Sequence, residues 1–355
     1  MIVTCRYVFP LTGAARLLPL GLPSMRSADL AKKIAQLPAW RGDSGIAAEL
    51  LAQAEQLADG NPRLLERFDR LLTARRGDEA AIFRELADSA AEFREDILLR
   101  ALFEPLPDAA KQLLACAALI HLPVAWEAIT AACGAAPETR HRQELVDLGL
   151  LEETRHGEDA PQYYVSALLH PVVAEVLSPD EASAAQGRAA LALHRDEWGV
   201  GQGIAEDRAL EILRLALAGG ETALAGQLAK VITKHWLTNH RYREAVALCE
   251  QVLSVVGHPG LLNNLAHAEA VLGRVAEARR HFQTARDALQ AMRRDEAQQR
   301  EYADILHNLA NLEAQQGKLG EALALWRESL DIQKSIGNVR GKAAIADGAP
   351  FAQLP

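Results

Sequence analysis

The dipeptide Glu-Ala returns at Glu244-Ala245, Glu277-Ala278 and Glu321-Ala322, at intervals of 33 and 44 residues. Gly273 and Gly317 stand five residues before the second and third of those alanines, Leu265-Ala266 aligns with Leu309-Ala310, and Phe282 aligns with Trp326. Self-similarity at such a period marks a chain whose units cannot bury their apolar faces alone and must stack on one another. A small residue where two helices cross, with a large one four positions on to fill the gap, is what a closely packed helical hairpin needs. The longer interval fits a repeat in which both helices are extended.

Upstream the pattern is also helical. Apolar spacing predicts helices over about 27–37, 44–58, 62–73 and 78–102, the last with a break near Asp88–Ala90. Pro105 and Pro107 then disfavour helix and open a new segment. Helices over Ala109–Ile120, Val124–Ala132 and Glu138–Leu148 precede two β-like runs, Leu150–Thr154 and Gln162–Ser166, joined by His156 to Pro161. Three helices and a turn-joined strand pair are the order of a winged-helix domain. Helices resume at Pro171–Leu177 and Pro179–Trp198, and Gly199, Gly201 and Gly203 mark a second boundary. The first residues, Ile2 to Val8, read as one buried strand stopped at Pro10. The expectation is mainly α: a helical bundle with its sensor-like strand over 1–104, a winged helix over 105–178, a helical linker over 179–203, and an α-solenoid of helical hairpins over 204–355 whose last repeat is truncated.

Composition limits the function classes. With 355 residues the chain is long enough for several cores, and 38 Lys and Arg against 47 Asp and Glu give a net charge of -9, so nucleic acid is not the expected partner. The helix expected over Glu138–Leu148 carries Arg140, His141 and Arg142, but Glu138, Glu144 and Asp147 sit among them. Cys5, Cys116, Cys133 and Cys249 lack metal-site spacing and read as buried thiols of a reducing compartment. Prolines interrupt any signal-peptide core and the longest apolar run is too short for a bilayer, so a cytoplasmic chain without a membrane partner is expected.

The repeats resemble tetratricopeptide hairpins, whose period is about 34 residues. Three short segments, with the order of modules, resemble the STAND class of signalling ATPases, which includes the NB-ARC and NACHT proteins. Ile2-Val3-Thr4-Cys5-Arg6 is similar to that family's sensor strand, Asp59-Gly60-Asn61-Pro62-Arg63-Leu64-Leu65 to the motif whose proline packs on the nucleotide base, and Leu168-Leu169-His170-Pro171 to the place where a histidine meets the bound diphosphate. The resemblance implies nucleotide roles for Arg6, Pro62 and His170. Local chain chemistry offers other readings: Gly60, Asn61 and Pro62 make an ordinary helix stop, cap and first turn, His170 opens a helix, and Arg6 can be a surface cation. The Gly-Lys pairs, Gly317-Lys318 and Gly341-Lys342, are not followed by Ser or Thr, so the chain as given holds no phosphate-binding loop. The chain reads as a C-terminal portion of such a protein, with no cofactor of its own and with ATP or ADP and magnesium only where a longer chain supplies that loop.

Asparagine is a poor residue for a helix interior, yet Asn264 corresponds to Asn308, His267 to Asn311 and Asn263 to His307 in two successive first helices. Asn264, His267, Asn308 and Asn311 are therefore the expected partner-binding residues, lining a concave face for a protein or peptide. The same amides could instead tie one hairpin to the next. No catalytic set and no metal-ligand spacing stands out. The leading expectation is a protein-interaction and regulatory module of a STAND-like signalling protein; the alternatives are an autonomous tetratricopeptide scaffold and an ATP-dependent switch.

Overall fold

A computed structural model describes residues 25–75, 78–134, 139–155, 160–198, 204–290 and 295–337. The sensor-like strand with Arg6, most of the loop joining the two β-like runs, the Gly199–Gly203 boundary and the segment after Gly337 lie outside the described residues. The chain forms two compact units. One holds the described residues up to Pro105 with Asp147–Gly149; the other holds Leu106–Val146 and the described residues from Leu150 on.

In the first unit, α1 (Ser27–Ile34), α2 (Ala48–Ala58), α3 (Pro62–Ala74), α4 (Glu79–Asp88) and α5 (Arg94–Phe103) follow one another. The expected first helix ends early because Pro38 begins a separate 3-10 turn, Pro38–Trp40. The predicted break near Asp88–Ala90 is real: α4 stops at Asp88 and a 3-10 turn at Ala91–Phe93 precedes α5. α3 is the centre of this bundle, with Leu64, Leu65, Phe68, Leu71 and Leu72 all buried. Phe68 packs on Phe83 of α4 with ring centroids 5.4 Å apart. Asp69, also buried, accepts the Ala39 N–H at 2.7 Å and so holds the 3-10 turn against α3. Burial pushes its carboxyl pKa up, which that hydrogen bond and the nearby Arg70 and Arg41 oppose.

The second unit begins with α6 (Asp108–Ala118), β1 (Val124–Ala125), α7 (Trp126–Cys133), α8 (Thr139–Asp147), β2 (Glu152–Thr154) and β3 (Gln162–Tyr164). Both expected β-like runs form strands, and the two residues before α7 add a third. The sheet is antiparallel in the order β1-β3-β2, with Val124 opposite Tyr163 and Glu153 opposite Tyr163. Trp126 meets Tyr163 edge-on at 5.5 Å, and the Arg142 guanidinium lies over both rings, 5.1 and 5.8 Å from their centroids.

α9 (His170–Val173) is a single turn, shorter than expected, and α10 (Pro179–Leu193) starts from a capping box in which Ser178 and Glu181 satisfy each other's backbone N–H. Among the described residues, seven α-helices follow: α11 (Glu206–Ala218), α12 (Thr222–Thr238), α13 (Tyr242–Leu253), α14 (Pro259–Val271), α15 (Val275–Gln290), α16 (Glu296–Gln315) and α17 (Leu319–Ser335). Ala245, Ala278 and Ala322 occupy matching buried places on α13, α15 and α17, with Cys249, Phe282 and Trp326 buried four positions on. The two intervals differ by eleven residues because α15 has 16 residues against 12 in α13, and α16 has 20 against 13 in α14. The chain is mainly α, ending in an α-solenoid of helical hairpins.

A candidate partner-binding groove on the repeat array

Four of the turns between α11 and α17 close in the same way. Gly220, His240, Gly273 and Gly317 take left-handed backbone with φ of 73, 61, 81 and 78°. The next residue in each turn, Glu221, Arg241, Arg274 or Lys318, donates its N–H to the carbonyl five residues back, at 2.8, 2.9, 2.8 and 3.0 Å. This is the Schellman closure, which satisfies orphan carbonyls at a helix end and needs left-handed backbone at one residue. The glycine marker fails at the first hairpin because His240 stands there, its ring Nδ1 2.8 Å from the Tyr242 hydroxyl.

With the turns fixed, the first helices α12, α14 and α16 pack side by side and form one groove of about 510 Å³. Asn264, His267 and Asn308 line it; Asn311 does not. Each expected asparagine is also bonded within the array. Asn264, 6% exposed, donates its Nδ2 to Lys230 O and Thr233 Oγ1, both at 2.9 Å, tying α14 to α12. Asn308 Nδ2 donates to Asn263 Oδ1 at 3.0 Å, tying α16 to α14. Asn311 Oδ1 accepts from Trp326 Nε1 at 3.1 Å inside the last hairpin.

The groove's charges come from residues that the sequence pattern did not single out: Lys230 and Lys234 on α12, and Arg300, Glu301 and Asp304 on α16. Lys230 and Glu301 form an ion pair across the groove. Gly260 lies beneath that pair, and a Cβ there would meet Glu301 Oε1 at 1.8 Å and Lys230 Cδ at 2.9 Å. The crowded wall pushes the Asp304 carboxyl pKa up, a shift that Lys234 and Lys230 oppose, although its side chain still reaches water. The same crowding holds the His307 pKa down. Lys230 and Lys234 sit 33 residues before Asn263 and His267, so extending the repeat alignment one unit upstream was the signal that could have found them.

The residues matched to a nucleotide site are placed as follows. Arg6 is outside the described residues. Pro62, exposed, is the first residue of α3; Asn61 caps that helix by accepting from the Arg63 and Leu64 N–H groups at 3.0 and 3.3 Å, and Asp59 and Gly60 take positive φ before it. His170 opens α9 and stacks on His121 with centroids 5.5 Å apart. Burial lowers its pKa first, and the charges of His121 and Arg214 act in the same direction. Its Nε2 is buried without a hydrogen-bond partner. Pro62 and His170 belong to different units. Among the described residues, no group of three or more His, Cys, Asp or Glu side chains is placed to hold a metal, and no helix is long and apolar enough to cross a membrane.

The tetratricopeptide repeat family matches residues 258–335, the span from the start of α14 to the end of α17. Among solved structures, the chain is similar to the Signal Transduction ATPase with Numerous Domains (STAND) protein with a tetratricopeptide repeat sensor from Pyrococcus horikoshii. The identity is 16% and the TM-score 0.60, and the match covers 90% of this chain and 43% of that one. This chain therefore spans less than half the length of that structure. No curated protein matches. In fold, the chain resembles a C-terminal, repeat-bearing portion of a STAND protein with tetratricopeptide repeats.

Proposed function

We propose that this chain is a protein-interaction module of a STAND-like regulator, in which the groove on α12, α14 and α16 takes an extended peptide segment of a partner protein. The observation that carries the reading is the groove itself. Three first helices from consecutive hairpins line it with amides, imidazoles and charges of both signs, a surface suited to gripping a peptide backbone and its side chains. In the same reading, 1–104 is a remnant of a nucleotide-binding module, 105–178 a winged helix and 179–203 a linker to the array. The order α6, β1, α7, α8, β2, β3 with its three-stranded sheet supports the winged helix. Duplex DNA is not its proposed partner, because Arg142 is held over Trp126 and Tyr163 rather than presented to phosphate.

ATP or ADP with magnesium stays outside the proposal for this chain alone. No Gly-Lys pair here is followed by Ser or Thr, and Pro62 is accounted for by the start of α3. Panning a displayed library of random peptides against the full chain tests the groove. Peptides that lose binding to a Lys230→Glu/Lys234→Glu variant which melts like the parent would support it. Peptides indifferent to that change, or no enrichment at all, would remove it.

A further inference from the structure

Lys230 on α12 and Glu301 on α16 stand on opposite walls of the groove, with α14 between them, and their side chains pair across it. Both residues are half-buried. The pair lies directly on the α14 backbone at Gly260, where a Cβ would stand 1.8 Å from Glu301 Oε1, 2.9 Å from Glu301 Cδ and 2.9 Å from Lys230 Cδ. Glycine is a weak helix former beside alanine, and the repeat alignment puts Gln227 and Asp304 at the same place on α12 and α16. Gly260 therefore serves the pair rather than its own helix, because a side chain there would lift the two charges off α14.

The surroundings let the side chains move while the backbone stays fixed. The Lys230 carbonyl accepts from Asn264 Nδ2 at 2.9 Å, which ties α12 to α14 at that residue. Arg300, next to Glu301, is paired with Glu296 of its own helix, so Lys230 is the cation that holds Glu301. Lys234, one turn along α12, is exposed and makes no ion pair among the described residues.

We infer that the Lys230–Glu301 pair is a latch: it closes the groove over Gly260 in the free array, and a peptide lies on that part of α14 only after the two side chains part. The inference rests on the reading of the groove as a peptide site. Parting frees the Lys230 ammonium to donate to a peptide carbonyl and the Glu301 carboxylate to accept from a peptide N–H, so the groups that shut the groove also hold what enters it. A site that is open for part of the time binds with its affinity reduced by the open fraction. An ion pair in contact with water adds little stability, so removing the latch should tighten binding by a small factor, about two- to five-fold.

Two variants open the latch by different means. Glu301→Gln removes one charge and keeps the side-chain shape, whereas Gly260→Ala keeps both charges and lifts them from α14. Without any peptide, the full chain is treated with N-hydroxysuccinimidyl acetate, and acetylation of Lys230 is followed against that of Lys234 by mass spectrometry. Lys230 should react more slowly than Lys234 in the parent, and its relative rate should rise about two-fold or more in each variant, both having the parent's circular dichroism. A fluorescent peptide enriched by panning on the parent or on Gly260→Ala is then titrated against all three chains. Its Kd should fall about two- to five-fold from the parent to each variant. A relative acetylation rate or a Kd that fails to change in this direction in either variant overturns the latch. Loss of that peptide's binding in Lys230→Glu/Lys234→Glu would still leave the groove reading standing. If panning enriches no peptide on either chain, the groove reading falls and the latch falls with it.

Discussion

Asn308 on α16 donates its amide to Asn263 Oδ1 on α14 at 3.0 Å, and one residue along, Asn264 bonds in the opposite direction to α12. The amides aligned in sequence thus lace three first helices together along the edge of the groove they line. Asn264 is buried and Asn308 only half-buried, so water can replace more of what Asn308 loses. Asn264→Ala should cost about 1–3 kcal/mol of stability and Asn308→Ala about 0.5–1.5 kcal/mol, read from urea denaturation. An equal or reversed order would show that the lacing does not carry stability as drawn.

The turns supply a cleaner test of backbone conformation. Nothing lies within 4 Å of a Cβ built on Gly273 or Gly317, so an added methyl there meets only the steric cost of left-handed backbone. Gly273→Ala and Gly317→Ala should each destabilise the array by about 1–2 kcal/mol. His240→Gly should act in the opposite sense and raise the denaturation midpoint, less the contribution of its contact with Tyr242.

Gly219 and Gly220 are neighbours with different reasons to be glycine. A Cβ on Gly219 would lie 2.2 Å from Gly187 N and 2.3 Å from Gly187 Cα, whereas one on Gly220 meets nothing within 4 Å. Backbone of α10 cannot step aside as a flexible side chain can. Gly219→Ala should therefore cost more than Gly220→Ala, at or above the roughly 1–3 kcal/mol typical of overpacking, and it should disturb the packing of α10 on α11. Thermal melts of the two variants check this.

Acidification should weaken the array. Burial is the first cause of the lowered pKa at the half-buried His258 and His307, each below the ordinary 6.5. As pH falls through about 6.5, the unfolded chain takes up protons at these positions before the folded chain does, so stability is lost from there downward. Asp304 has the opposite sign, because its carboxyl is raised above 3.8 and protonates more readily in the fold. Denaturation midpoints should drop between pH 7 and pH 5.5 and drop less in a His307→Gln variant. A flat profile in the parent would contradict the assignment.

Much of the architecture was legible in the sequence because helical period, proline breaks and the Glu-Ala recurrence are local or nearly local signals. Ala278 with Phe282 and Ala322 with Trp326 identified two hairpins, and the break near Asp88–Ala90 was visible from side-chain pattern alone. Short elements were less legible: β1 is two residues long and exists only because β3 is there to pair with it. The first hairpin was blurred because His240 does by strain what glycine does freely in the other turns, and Cys249 replaces the large aromatic of the later repeats.

That this chain is helical, that it carries stacked hairpins, and that amides recur at one place on successive first helices can all be read from the amino-acid sequence. Those properties follow from hydrophobic period and helix propensity, which act within a few turns of chain. Only the packed helices show where those amides bond and that Lys230 and Glu301 meet across a groove although they lie 71 positions apart. Such contacts depend on how helices far apart in sequence lie against one another, and closely packed side chains fix that arrangement together rather than residue by residue.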